Sequence, residues 1–113
     1  EVLVCVRDGQ VIGLLRWGLL WDQVPLMYLL FVAEEERGKG YGRALTTAWE
    51  TRMAAAGHPF VLTSTQADEA AQHFYRKLGY QDIGGFVLPA EPLEIILYKQ
   101  LAALAAGTIV NDT

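Results

Sequence analysis

Residues 32–43 read VAEEERGKGYGR, in which an apolar run ends at Val32, three glutamates follow, and Arg37, Lys39 and Arg43 then interleave with Gly38, Gly40 and Gly42. Glycines spaced one apart let backbone N–H groups approach a ligand with no Cβ in the way. Helical periodicity begins at Tyr41, so the same segment opens a helix N-terminus, with its unpaired donors and positive partial charge. Such a turn suits a pyrophosphate, with three cations around it. The glycines could equally serve only a tight turn and a capped loop, and by themselves they do not decide between the two. Two nucleotide motifs are excluded. No Ser or Thr follows the Gly-Lys pair as a P-loop requires, and a dinucleotide fingerprint starting at Gly38 needs glycine or alanine where Arg43 stands. ATP and NAD are therefore not the expected ligands.

A second segment supplies the context. Val32 followed by Arg37-x-x-Gly40-x-Gly42 resembles the Arg/Gln-x-x-Gly-x-Gly/Ala signature of GNAT acetyltransferases, at a strand-to-helix junction. Residues 71–80, AQHFYRKLGY, are similar to that family's "A..FY.K.GF" helix, at the expected distance downstream. The likeness runs from Val2 to Gln100. It implies an α/β fold with a mixed, mostly antiparallel sheet and flanking helices, entered at the family's second strand and so lacking its first strand and first two helices. It also implies acetyl-CoA as cosubstrate and no metal. The pantetheine arm would lie against backbone groups of Leu30, Phe31 and Val32. The pyrophosphate would lie on the amides of Gly38, Lys39, Gly40, Tyr41, Gly42 and Arg43, with Arg37 at the family's Arg/Gln position. Tyr75 stands where the family carries a tyrosine near the thioester sulfur. A phenol of pKa about 10 can protonate a departing thiolate of pKa near 8 to 9, which makes Tyr75 the candidate general acid. Core packing beside Phe74 is the competing role, and neighbours 100° apart on a helix should not point the same way. Asp68 replaces the asparagine often found seven residues earlier, leaving it a helix-capping role.

The implied activity is N-acetyltransfer to a primary amine of a small molecule or peptide, by direct attack and without a covalent enzyme intermediate. A non-catalytic acyl-CoA-binding or sensor module is the alternative, and an interaction domain with a merely structural glycine loop is a further one. The alternatives draw weight from the missing base: positions where some family members carry glutamate hold Leu26 and Thr63. Glu34 and Glu35 belong to a run of three glutamates that reads as solvated. Trp17, Trp21, Asp22 and Tyr28 could line an acceptor side, although Trp17 reads as core. Glu91 and Glu94 flank the last turn and could attract a cation.

The elements that must hold these residues are legible around them. Two β-rich runs, 2–6 and 11–17, are separated by RDGQ, and Asp-Gly between such runs marks a hairpin. Residues 26–32 are apolar at nearly every position and read as a central strand covered on both faces. A helix from Tyr41 carries Tyr41, Ala44, Leu45, Ala48, Trp49, Arg52 and Met53 on one stripe and stops at Gly57. A strand over 59–65 and a helix capped by Asp68 and stopped by Gly79 follow, then strands over 84–88 and 93–101. Residues 1–101 form one cofactor-binding core, and 102–113 an unassigned tail.

The 113 residues are 52% hydrophobic, sufficient for one core. Nine basic against 13 acidic residues give a net charge of −4, which argues against nucleic acid as a partner. The longest apolar stretch falls far short of a membrane span. One cysteine precludes an internal disulfide and fits a reducing, cytoplasmic setting. A homodimer is left open.

Overall fold

The computed structural model describes residues 1–101, and the 102–113 tail lies outside the described residues. The elements are β1 (Val2–Arg7), β2 (Gln10–Leu20), β3 (Val24–Val32), a 3-10 turn (Glu34–Glu36), α1 (Tyr41–Ala55), β4 (Phe60–Gln66), α2 (Ala71–Lys77), β5 (Gln81–Phe86) and β6 (Glu94–Gln100). The strands form one sheet in the order β1-β2-β3-β4-β6-β5. Only β3 and β4 run parallel, because α1 carries the chain between them; the other neighbours are antiparallel. This is the mixed, mostly antiparallel α/β sheet that the sequence implied.

Local signals placed the hairpin and both helix ends. Asp8 and Gly9 have φ of 52° and 78°, the two left-handed residues of a type I′ turn, and Arg7 pairs with Gln10 across it. At the end of α1, Gly57 N donates to Ala54 O while His58 N donates to Met53 O. At the end of α2, Gly79 N donates to Arg76 O while Tyr80 N donates to Tyr75 O. Both are Schellman closures around a left-handed glycine. The second has a consequence for the site. It clips the Tyr80 ring against Tyr75 at 5.7 Å and so orients the candidate acid.

The core gathers Leu15, Trp17, Met27, Leu45, Trp49, Met53, Val61, Tyr75, Tyr80, Ile95 and Leu97. Trp49 is completely buried, with its ring centroid 6.4 Å from that of Trp17. The stripe expected on α1 is corrected. Leu45, Thr46, Trp49 and Met53 are its buried residues, whereas Ala44, Ala48 and Arg52 are exposed. The buried face is centred one residue further round, and Thr46 joins it by donating its hydroxyl to Gly42 O at 2.8 Å.

Strand β3 also differs from expectation. Met27 is buried, but Tyr28, Leu29 and Phe31 are exposed. The core cluster that both helices join takes Leu15, Trp17 and Met27 from these strands, whereas Val2, Val4 and Val6 of β1 are exposed. Between the pairs Trp17↔Met27 and Arg16↔Leu29 the register slips, leaving Tyr28 as a one-residue bulge. The fifth strand begins three residues earlier than predicted, directly after the Gly79 stop, because pairing starts at Gln81↔Tyr98. Val87 and Leu88 consequently fall in the loop.

Candidate active site

Strands β3 and β4 are paired only through Leu26↔Leu62 and Met27↔Thr63. Beyond that point β3 continues to Val32 against β2, and β4 continues to Gln66 against β6. The sheet therefore forks, and the bulge at Tyr28 lies at the fork. A cavity of about 670 Å³ is lined by Leu30, Phe31 and Val32 on β3, by Glu36 to Gly38 and Gly40 to Arg43 on the following turn, and by Ala70, Ala71, Phe74 and Tyr75 on and before α2.

The turn is built as its glycines require. Gly38 and Gly40 adopt φ of 79° and 89°, which a side chain would resist, and a Cβ at either would meet nothing within 4 Å. Their role is to turn the chain and leave the space in front of it open. Gly42 is different: its added Cβ would sit 3.5 Å from Phe74 Cζ, an ordinary contact, so alanine fits there. No amide from Gly38 to Arg43 donates to an acceptor within the described residues, and Gly40 caps α1 without a side-chain bond. These are free donors at a helix N-terminus lining a cavity.

The predicted cations separate. Arg37 and Arg43 line the cavity. Arg37 Nε donates to Val32 O at 2.9 Å, and its guanidinium lies 5.9 Å from the Phe31 ring centroid. Lys39 does not line the cavity; its Nζ donates to Glu36 at 3.1 Å. Glu36 corrects the reading of the glutamate run as wholly solvated. Glu34 and Glu35 are exposed, but the tight 3-10 turn rotates the third glutamate inward, where it also accepts from Arg7 at 2.7 Å.

Tyr75 lies at the apex of the fork. Its ring is 6% exposed, and its hydroxyl donates to Met27 Sδ at 3.7 Å, beside Thr63, so it touches the last residue pair before the strands part. Burial pushes the phenol above its ordinary value, the neighbouring Thr63 opposes this, and Glu69 reinforces it. Phe74 lines the same cavity and meets Tyr75 edge-on at 5.4 Å, so these two successive residues share the site against expectation. Asp68 is not a cap. Helix α2 starts at Ala71 behind Ala70, and the turn before it is held by Gln72 Nε2, which donates to Ala67 O and Glu69 O at 2.8 Å. Trp17 is core, while Trp21 and Tyr28 are exposed and do not line the cavity. Phe74, Ala70, Ala71 and Glu36 are lining residues that sequence reasoning missed.

Comparison with known proteins assigns the family of this forked sheet with a glycine turn opening a helix beside it. The acetyltransferase (GNAT) domain model matches residues 1–82. The chain belongs to the GNAT acetyltransferase family. No curated protein matches the sequence. Among solved structures, a protein from Desulfovibrio desulfuricans assigned to the GNAT family shares 18% identity at a TM-score of 0.83, over 89% of this chain and 69% of its own. The ribosomal-protein-S18-alanine N-acetyltransferase from Escherichia coli shares 15% at 0.78, over 97% and 74%. An aminoglycoside 6′-N-acetyltransferase complexed with coenzyme A shares 16% at 0.81, over 91% and 73%. At such identities the likeness is one of fold. No described helix is long and apolar enough to cross a membrane, and no group of three or more potential ligands for a metal occurs among the described residues.

Proposed function

We propose that the chain is an N-acetyltransferase that moves the acetyl group of acetyl-CoA to a primary amine of a small molecule or peptide, with residues 1–101 as its cofactor-binding core. The observation that carries this reading is that one cavity is lined both by Gly38, Gly40, Tyr41, Gly42 and Arg43 of the glycine turn and by Tyr75 at the fork. The pyrophosphate lies on the amides, between Arg37 and Arg43, and the pantetheine arm follows the open edge of β3 at Leu30, Phe31 and Val32. The thioester then reaches Tyr75, whose proton already rests on a sulfur, the weak acceptor Met27 Sδ. The amine attacks the thioester carbonyl, the nitrogen gives up a proton to water, the C–S bond breaks as Tyr75 delivers its proton to the departing thiolate, and the phenolate regains a proton from solvent. The single cysteine, half-buried in β1, is consistent with a cytoplasmic setting.

A second reading, an acyl-CoA-binding module without turnover, is favoured by one feature. Among the described residues the only carboxylate lining the cavity is Glu36, and it is already ion-paired. A base must then be a water, or the amine must arrive deprotonated.

Calorimetric titration with acetyl-CoA tests the site. Gly40→Asp forces an Asp side chain into a left-handed residue and sets a carboxylate among the phosphate-binding amides. Affinity should fall by about a hundredfold or more, since like-charge repulsion and lost donors act together. Undiminished affinity in this variant would mean that the phosphates bind elsewhere. Thiol release with a panel of amines then separates enzyme from binding module.

A further inference from the structure

Glu36 faces the cavity where an anionic ligand is expected, an arrangement that by itself repels phosphate. Its side chain is 8% exposed, and its two oxygens are shared between Arg7 at 2.7 Å and Lys39 at 3.1 Å, each cation being about half exposed. Arg7 belongs to the first hairpin, 29 residues upstream, and does not line the cavity. We propose that Arg7, Glu36 and Lys39 form a charge-compensating unit that makes the glycine turn accept anions, and that Arg7 supports phosphate binding from outside the cavity by offsetting the charge of Glu36. The carboxylate is thus ion-paired to the first hairpin on one side and to the glycine turn on the other. The two cations leave the trio with a net positive charge, so the buried carboxylate does not oppose the ligand. This assigns Lys39 a partner other than the phosphate and explains why it is turned away from the cavity.

The inference rests on the phosphate-binding reading above, and the two fail differently. Acetyl-CoA titration of the unaltered chain comes first, and absence of binding overturns both. Given binding, Arg7→Gln should lower affinity about tenfold, because an under-compensated carboxylate then stands in the lining of the phosphate site. Arg7→Lys should retain affinity. The double variant Arg7→Gln/Glu36→Gln should recover most of it, since no repelling charge remains. A purely structural role predicts the opposite order, with the double variant at least as impaired as the single one. Melting temperatures measured in parallel identify any loss caused by unfolding. Arg7→Gln binding as tightly as the unaltered chain, or a double variant that fails to recover while still folded, overturns the inference and leaves the phosphate site standing.

Discussion

Tyr75→Phe is expected to lower kcat by about a hundredfold while leaving acetyl-CoA affinity nearly unchanged, the magnitude typical for loss of a general acid. The proton is needed only as the C–S bond breaks, so its loss is felt in the transition state and not in the bound ground state. The ring would stay, still held between Phe74 and Tyr80, and only the hydroxyl beside Met27 Sδ and Thr63 would be lost. Stability should therefore change little, and a melting curve checks this. A role confined to packing predicts intact kcat in the same variant. The pH dependence carries a second signature. Burial lifts the Tyr75 phenol above 10, so the alkaline limb of the rate profile should begin above that pH and vanish in the variant. A limb that survives the substitution unchanged removes Tyr75 from proton delivery. Folding is linked to the same groups. Tyr75 and, more strongly, Tyr80 hold their protons in the folded state at a pH where the unfolded chain releases them, the second through burial and then the charge of Glu50. Their contribution to stability is complete below pH 10 and declines as pH rises from there toward their folded values.

Trp49→Ala should destabilise the fold by about 3–5 kcal/mol, the range for removing a large aromatic from a closed core. Against a typical domain stability of about 5–15 kcal/mol this is a substantial fraction, and a melting temperature lower by roughly 15 °C or more is expected. Trp49 is fully buried, stands against Trp17 and connects α1 to the sheet, so the vacated space has no loop that could fall into it. Its indole N–H has no partner, and neither has that of Trp17. Trp49→Phe removes an unsatisfied donor along with some volume and should cost less than half as much. A Trp49→Ala chain that melts within a few degrees of the original would show that the core is not centred there.

What could be seen in the sequence was what neighbouring residues decide together. The Asp8-Gly9 turn and the stops at Gly57 and Gly79 follow from backbone conformations few residues adopt, and the glycine turn with its helix start is equally local. The exposed face of β3 was not legible, because an apolar run looks the same whether one face or both are covered, and coverage is settled by elements far away in the chain. Glu36 was hidden for a related reason. Three consecutive glutamates differ only by the rotation of a 3-10 turn, and the partner that distinguishes the third, Arg7, lies in another element. Asp68 failed as a cap because Gln72, inside the helix, already organises the preceding turn. In the site, Arg37, Arg43 and Tyr75 do line one cavity, whereas Phe74 was set aside by treating helical neighbours as pointing apart.

The fork also divides the sheet mechanically. With only Leu26↔Leu62 and Met27↔Thr63 joining β3 to β4, the backbone ladder consists of two three-stranded leaves, β1-β2-β3 and β4-β6-β5, hinged at that short seam. Side chains of α1 packed in the common core add a second connection between the leaves. Native-state amide exchange should accordingly resolve two cooperative blocks, with the seam exchanging through an opening that leaves each leaf intact. A molecule seated in the fork would act as a splint across the two leaves, slowing exchange at the seam far more than at the outer strands β1 and β5.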